Sequence, residues 1–448
     1  MKKKGLSIAA GVLFLLNVFI PKSFADEASR DNEIAGLKTQ VQQLLQRIEK
    51  LESEQVNSKE ESKKAKEELV KIKETTQSAQ AGRVDLANTL SKLKLKGRAA
   101  VGFFDSGKAG SFPSGSFEIP EAKLQFSFQP DDINTLVARF NLNNAVTSVS
   151  TTSPLLDYLY LQSKDFLPFL KDTPFSLSGR LGRFKLGFGE ETWTNNLVEG
   201  VLPSNSAGNV GLNDEAFELS GKIKLDNLKL QPLGWVLSVG DGNSGIGSDT
   251  STAKAFMGKL YYSPISPLYL SASYYNSGEL KSSNAEMSIA GLVSPPTTTA
   301  TTEWDRTVWE IDARYDFGKG KKPLEPIAFS DSKAILRLSY GQFGDDVGGS
   351  AATAVKRNGQ FGFVEGTYNL TKKFYTAARY SLLDLDGDQT ASLNSITTNM
   401  YERYSLGLGY HWSENTILKL GYDWNKESQV STEDKPNNLL SAVVATQF

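Results

Sequence analysis

One stretch near the end of the chain decides the fold: residues 403–424 read RYSLGLGYHWSENTILKLGYDW. On both sides of a short polar break at residues 413–415, apolar or aromatic side chains alternate with small or charged ones. Successive side chains of a β-strand point to opposite faces of the sheet, so a period of two predicts two strands joined by a tight turn. The stretch therefore predicts a β-hairpin with one apolar face, whose aromatic residues gather at the strand ends.

The same alternation runs outward from this hairpin through most of the chain. It begins at about Lys92, continues to the last residue, Phe448, and divides into sixteen segments. The predicted strands begin near Lys92, Glu118, Ile133, Leu155, Pro174, Ala216, Leu228, Lys254, Pro267, Arg306, Lys333, Gln360, Lys373, Tyr401, Thr416 and Asn438.

The connections between these segments alternate between short and long. Residues 130–132 and 413–415 make short connections, whereas residues 189–214 and 277–303 make long ones. Two connections expected to be short, residues 164–173 and 318–332, are longer. Outer-membrane barrels have an even number of antiparallel strands, short turns on the periplasmic side and long loops outside. The predicted fold class is thus all-β transmembrane: a sixteen-stranded antiparallel outer-membrane β-barrel preceded by an α-helical coiled coil.

The first residues favour a barrel in a membrane over a soluble β-sandwich, which has the same period of two. Lys2, Lys3 and Lys4 precede an apolar run over residues 6–20, and Ser23-Phe24-Ala25 places small residues where signal peptidase cleaves. We predict cleavage before Asp26. An exported chain with aromatic residues at its strand ends fits the inside-out pattern of an outer-membrane barrel.

Residues 26–74 carry a heptad pattern. Two seams of apolar residues, weak around residues 55–62, predict a helix that associates with copies of itself. A solvated single helix or a partly disordered linker is the alternative. The chain would then comprise a signal peptide (1–25), a periplasmic coiled coil (26–74), a linker (75–91) and a transmembrane β-barrel (92–448). The seams consist of Ile34, Val41 and Ile48, and of Leu37, Leu44 and Leu51, and they resume at Ala65, Leu69 and Ile72.

Composition excludes several classes of function. The chain has no cysteine and a single histidine, so it lacks thiol nucleophiles, disulfides and the ligands of a zinc site. The formal net charge of −2 does not favour nucleic-acid binding. We predict neither an enzyme nor a metal or other cofactor.

One segment resembles a known family. Residues 179–221 read GRLGRFKLGFGEETWTNNLVEGVLPSNSAGNVGLNDEAFELSG. The GRFK motif at residues 182–185, followed by Glu190-Glu191-Thr192, resembles the phosphate-selective porin O/P family, as does a coiled coil ahead of the barrel. The resemblance implies a sixteen-stranded trimeric pore whose third long loop folds inward and narrows the channel. Here that loop has no Arg or Lys but carries Glu190, Glu191 and Glu199, which we predict at the constriction.

The strand face opposite the aromatic residues should line the channel. Seventeen cations against seven carboxylates on it predict a mild anion preference, because a cationic wall lowers the barrier for anions. The alternative is a balanced wall of cross-strand ion pairs. The cations are Lys94, Lys96, Arg98, Lys123, Arg139, Arg183, Lys185, Lys222, Lys224, Lys254, Lys259, Arg306, Arg314, Arg337, Arg379, Arg403 and Lys419. The carboxylates are Glu121, Glu218, Glu310, Asp312, Asp316, Glu365 and Asp423.

The sequence thus predicts an outer-membrane porin that passes small hydrophilic solutes by diffusion. The alternative is a non-conducting adaptor barrel that tethers the outer membrane or sheathes a partner protein. The expected partners are further copies of the chain, outer-membrane lipid and the barrel-assembly machinery, for which the terminal Phe448 resembles the recognition signal. The seam residues favour two helices, whereas the resemblance implies a trimer, so the sequence leaves the oligomer open.

Overall fold

In the computed structural model, residues 1–91, with the predicted signal peptide, coiled coil and linker, lie outside the described part of the chain. No helix in the described part has the length and hydropathy needed to cross a bilayer. The structure describes residues 92–143, 156–170, 173–194, 196–225, 230–242, 252–281, 288–289, 303–318, 332–347, 357–386, 391–393, 396–428 and 436–448.

Sixteen long strands in the described ranges form one antiparallel barrel. Every predicted strand start lies within three residues of the observed one. The strands are β1 Leu93–Ser106, β2 Ser116–Phe128, β3 Asn134–Asn141, β4 Leu156–Lys164, β5 Phe175–Lys185, β6 Asn213–Leu225, β7 Leu230–Gly240, β8 Ala255–Ile265, β9 Leu268–Asn276, β10 Glu303–Phe317, β11 Ala334–Val347, β12 Arg357–Asn369, β13 Phe374–Leu385, β14 Met400–His411, β15 Thr416–Ser428 and β16 Leu439–Gln447.

The barrel closes between its first and last strands. β16 pairs antiparallel with β1 from Arg98 opposite Gln447 to Ser106 opposite Leu439. Beyond that ladder, the Gly97 N–H donates to the Phe448 carbonyl over 3.1 Å, and the Phe448 N–H donates back over 2.9 Å. Among the sixteen described barrel strands, closure leaves no edge strand with unpaired N–H and C=O groups, which is a requirement for strands in a bilayer. The predicted sixteen-stranded antiparallel barrel is confirmed.

Short elements accompany the barrel strands. Val210–Gly211 pairs with Ser288–Ile289, and Ala391–Leu393 pairs with Ile396–Thr398. Leu280–Lys281 extends the pairing of β9 with β10. One helical turn, α1 (Glu191–Thr194), lies between β5 and β6.

The shortest connections gather at one end of the barrel, here called the turn end, and most long ones lie at the other, the loop end; residues 165–174 and 318–333 are the two longer connections at the turn end. At the turn end, Asp131 holds the β2–β3 turn by accepting hydrogen bonds from the N–H groups of Ile133 (2.9 Å) and Asn134 (2.7 Å). The first barrel strand begins at the turn end, and the last one ends there. The Gln129 N–H donates to the carbonyl of Lys92, and the Gln447 N–H donates to the carbonyl of Asn415.

The two faces of the wall differ as the alternation predicts. A row of exposed apolar side chains crosses five neighbouring strands in register on the outward face. The inward face carries buried polar and charged residues, which inverts the usual arrangement of a soluble protein. The outward row consists of Leu161, Leu181, Phe217, Val239 and Phe256.

Candidate functional site

Residues 186–212, here called the inner loop, connect β5 to β6 and lie against the inward face of the wall. Phe188 and Val198 are fully buried. One apolar cluster joins Phe188 to inward-facing Tyr275 of β9 and Phe361 of β12. A second cluster joins Val198, Val201 and Leu202 to apolar side chains of β1, β11, β13, β15 and β16. Burial of these side chains places the loop inside the barrel, because apolar area removed from water stabilises the packed position.

Wall side chains also hold the backbone of the inner loop. The Tyr375 hydroxyl donates to the carbonyl of Val201 over 2.8 Å. The Lys419 ammonium donates to the carbonyls of Leu197, over 2.7 Å, and Gly200. The Arg403 guanidinium reaches the carbonyl of Asn205 over 2.8 Å. These bonds satisfy carbonyls of an irregular segment that would otherwise be buried without partners.

Two glycines make room for the loop. Gly407 of β14 and Gly421 of β15 stand opposite each other in the ladder, both on the inward face. A Cβ atom on Gly407 would lie 2.5 Å from Leu202, and one on Gly421 would lie 2.7 Å from Pro203. The loop residues therefore occupy a slot that only glycine leaves open.

The acidic residues predicted at a constriction mostly bind the wall. Glu190 accepts hydrogen bonds from the Lys259 ammonium (2.7 Å) and the Tyr269 hydroxyl (2.6 Å). Glu191, only 7% exposed, lies 3.5 Å from Arg379 and also accepts from the backbone and hydroxyl of Ser206.

Glu199 is half-buried and accepts a hydrogen bond from the Asn196 amide over 2.6 Å. The loop thus has the predicted acids, but Glu190 and Glu191 anchor it to the wall. Sequence alone could not show this, because the partners of both carboxylates lie on β8, β9 and β13.

Four cations from neighbouring strands form what we call the basic wall: Arg98, Lys123, Arg139 and Lys185. Arg98 lies 2.5 Å from Glu121, on the adjacent strand. The Lys185 ammonium donates to the Thr192 carbonyl of α1 over 2.5 Å and lies within electrostatic range of the other three cations.

One carboxylate is shared within the basic wall. Asp157 lies 3.1 Å from Lys123 and 2.7 Å from Arg139. The ladder slips between Arg139 and Phe140, and such a bulge re-aims the side chain beside it. Asp157 therefore reaches the inward face although simple alternation places it outside, which is why the sequence analysis missed it. The basic wall has four cations and two carboxylates.

A cavity lies between part of the basic wall and the inner loop, beside the direct contact of Lys185 with Thr192. It has a volume of about 320 Å³, and Lys123 of the wall and Asn196 and Leu197 of the loop line it. Arg337, Arg379 and Glu365 line another side. Charged and amide groups thus face a space that polar solutes and water can occupy.

Away from the basic wall, the predicted lumen cations are matched by carboxylates. Arg314 lies 2.9 Å from Asp316, and Arg337 lies 3.0 Å from Glu365. Glu365 also lies 3.4 Å from Arg379, so it bridges two arginines. On these strands the inward face follows the balanced alternative, in which neighbouring charges neutralise one another: Arg314 pairs with Asp316 along β10, whereas Glu365 pairs with arginines of the two adjacent strands.

Near the loop end, Arg306 and Arg357 both bind Asp345, at 2.6 and 2.7 Å. Arg306 is one of the predicted lumen cations; Asp345 is not among the predicted carboxylates, although it shares the parity of Arg337 on β11. Lys222 is exposed and shares the inward face of Glu218, closer to the turn end.

Two cations predicted in the lumen lie on the outward face instead. Arg183 stands opposite Leu159 and Glu215 in the ladder, on the same strand face as the exposed Leu181. Lys254, directly before β8, pairs with Asp241 over 3.0 Å on the same face. For β5 the alternation itself predicts this outward position, because Arg183 lies two residues from Leu181 and therefore points to the same face.

The inward arginine of β5 is Arg180, which lies 2.5 Å from Glu218 and 4.2 Å from the centre of the Phe184 ring. Lys185 nevertheless reaches the lumen because the chain turns into the barrel where β5 ends.

The barrel is similar to solved outer-membrane channels. It aligns with the outer membrane channel DcaP of Acinetobacter baumannii at a TM-score of 0.50 and 12% identity, over 80% of this chain and 97% of that one. It aligns equally, at 0.50 and 12%, with an anion-selective porin from Comamonas acidovorans, over 80% of this chain and 99% of that one. No family model matches the sequence, and no curated protein matches it. The likeness shows the fold: the chain has the sixteen-stranded barrel of these proteins.

Proposed function

We propose that this protein is a diffusion channel of the outer membrane for small hydrophilic solutes. The observation that carries the proposal is a closed sixteen-stranded wall with a polar, charged inward face and a loop packed against one side of it. A barrel of this size is wide enough to hold an aqueous lumen. The inner loop reduces that lumen, and the cavity between it and the basic wall is lined by charged and amide groups.

We further propose a mild preference for anions. The basic wall has two more cations than carboxylates, while two of the three loop acids are engaged by Lys259, Tyr269, Arg379 and Ser206. Lys94 and Lys96 add exposed positive charge on β1 toward the turn end. Since the inner loop contributes no Arg or Lys to a narrow zone, we propose general anion preference rather than phosphate specificity.

The proposed location is a Gram-negative-type outer membrane, with the loop end outside. Because β1 begins and β16 ends at the turn end, residues 26–74 would extend into the periplasm. The proposed assembly is a trimer, as the family resemblance implies. Light scattering of the protein in detergent tests it, and the mass of a monomer or dimer would contradict it.

Phe448 remains our candidate for the signal that the barrel-assembly machinery reads. Its ring covers the backbone of Gly97 at the closing seam. We expect Phe448→Ala to lower the amount of folded protein in outer membranes while purified, refolded barrels still conduct. Equal membrane levels of both proteins would refute the role in insertion.

Single-channel recording in a planar bilayer tests the proposed function. The full chain should produce stable open steps without added ligand, because the inner loop packs against one side of the lumen and a cavity lined by charged and amide groups remains beside it. A folded barrel without conductance would instead support the adaptor alternative.

Neutralising the basic wall should lower the selectivity. We expect the double variant Lys123→Gln, Lys185→Gln to reduce the chloride-to-potassium permeability ratio on the order of threefold, because each charge contributes a screened interaction below about 1 kcal/mol. The reversal potential under a salt gradient measures this change. Lys426→Gln removes a lysine from the outward face and serves as the control, since its pair with Glu402 lies outside the lumen. An unchanged ratio in the double variant would rule out the basic wall as the selective element.

A further inference from the structure

A charged row crosses the outward face of four adjacent strands at the loop end. Arg183 of β5 lies 3.5 Å from Glu215 of β6, and Lys254, directly before β8, lies 3.0 Å from Asp241, which follows β7. The Asp241 N–H donates to the Glu215 carbonyl, so the ladder continues between the two pairs. In register the row runs Arg183, Glu215, Asp241, Lys254.

An apolar row lies directly below it. Leu181, Phe217, Val239 and Phe256 are the next outward residues toward the turn end on the same four strands, and they are 42–61% exposed. The step from exposed apolar to charged side chains marks the height at which hydrocarbon gives way to lipid headgroups. The charged row therefore lies at the headgroup level of the leaflet at the loop end.

A groove interrupts the wall where the two rows meet. It has a volume of about 350 Å³ and is lined by Leu181, Phe217 and Val239. Its floor is formed by the strand backbone at Gly182, Ala216 and Gly240, positions that alternate with the outward residues. Asp241 and Lys254 line the groove on the loop side.

The Lys254 side chain remains 48% exposed despite its pair with Asp241. An amphiphile with an alkyl chain and an anionic headgroup matches this arrangement of an apolar groove below an exposed ammonium group. A membrane boundary alone needs only a charged row above an apolar row. Here a groove also lies between the two rows.

We propose that this groove binds one acyl chain of a phosphorylated lipid of the outer leaflet, with a lipid phosphate on the Lys254 ammonium. The inference rests on the proposed orientation, which makes the loop end the outer side. It also gives a role to Arg183 of the GRFK motif, which neutralises Glu215 beside the groove and so keeps that carboxylate from repelling the phosphate.

The outward face offers a matched control. Lys426 of β15 is 59% exposed and pairs with Glu402 over 3.4 Å. There, the hydroxyls of Tyr380 and Tyr404 donate to the same carboxylate. Lys426 therefore has the charge, exposure and partner type of Lys254, in an aromatic setting.

Native mass spectrometry of the full chain in detergent tests the proposal, with purified diphosphorylated lipid A as the probe. We expect lipid A to bind in preference to phosphatidylcholine, and inorganic phosphate at the same concentration not to displace it. Lys254→Glu should weaken binding by about tenfold or more, and Lys426→Glu by no more than about twofold. Val239→Trp, which fills the groove, should abolish the preference for lipid A.

Equal losses in both lysine variants would indicate diffuse charge attraction and overturn the proposal. Displacement by inorganic phosphate would overturn the role of the acyl chain, and a second copy of the chain in place of lipid would make the surface a subunit interface. Far-ultraviolet circular dichroism of the same samples shows that each variant is folded, independently of its conductance. Because all three substitutions lie outside the lumen, a non-conducting wild type would refute the channel while leaving lipid binding measurable.

Discussion

Asp345→Ala should destabilise the barrel by about 3–5 kcal/mol, the usual result of removing one partner from a buried ion network. Asp345 and Arg306 are at most 2% exposed, and Arg306 approaches Asp345 with two nitrogens, at 2.6 and 3.0 Å. Arg357 of β12 also approaches the same carboxylate with two nitrogens, at 2.7 and 2.8 Å. The substitution would leave two guanidinium groups in the wall without their shared carboxylate, a cost that repacking cannot remove.

The midpoint of urea unfolding, followed by tryptophan fluorescence in detergent, measures this loss. Asp345→Asn keeps the size and some hydrogen bonds of the side chain, so it should fall between the wild type and the alanine variant. Lys426→Ala provides the control for an exposed pair and should change stability by at most about 1 kcal/mol. Asp345→Ala with the wild-type midpoint would show that the network contributes nothing to the wall.

Gly421→Val should displace the inner loop and lower the single-channel conductance. Its Cβ would lie 2.7 Å from Cδ of Pro203, which is part of a ring and cannot rotate away. Overpacking of this kind costs about 1–3 kcal/mol, and the loop can relieve it only by moving from the wall toward the open lumen. We expect lower conductance and more open-channel noise, because the bond from Tyr375 to Val201 would stretch with the loop.

Gly366→Val separates this effect from the general consequence of replacing a strand glycine. A Cβ at Gly366 meets no atom within 4 Å, and the residue faces outward on β12. The control should conduct like the wild type. If both variants conduct alike, the slot formed by Gly407 and Gly421 does not position the loop.

Much of the fold was predictable because a strand has only two faces. The period of two located all sixteen strands, and the alternation of short and long connections located the turn end. The same rule failed where the backbone departs from it: Asp157 comes inward at a bulge, and Lys185 comes inward where β5 turns into the loop. Arg183 followed the rule, and parity with Leu181 places it outside.

The candidate site was less predictable than the fold, since its partners are distant in the sequence. Composition shows that the inner loop is acidic, but Glu190 bonds to Tyr269, 79 residues away, and Arg379 to Glu191, 188 residues away. Such contacts determine which charges remain available to a solute. The number of lumen cations therefore overstated the basic character of β10 to β13, where carboxylates pair with them, and the excess charge is found on β1 to β5.

The reversal potential of the unmodified full chain in a planar bilayer, under a tenfold gradient of potassium chloride, tests the central claim most directly. The charges of the basic wall predict open channels whose reversal potential has the sign of chloride preference, with a magnitude well below that of a perfectly selective pore. Open channels that prefer potassium would contradict this account and would mean that Glu190, Glu191 and Glu199, rather than Lys123 and its neighbours, control the passage of ions.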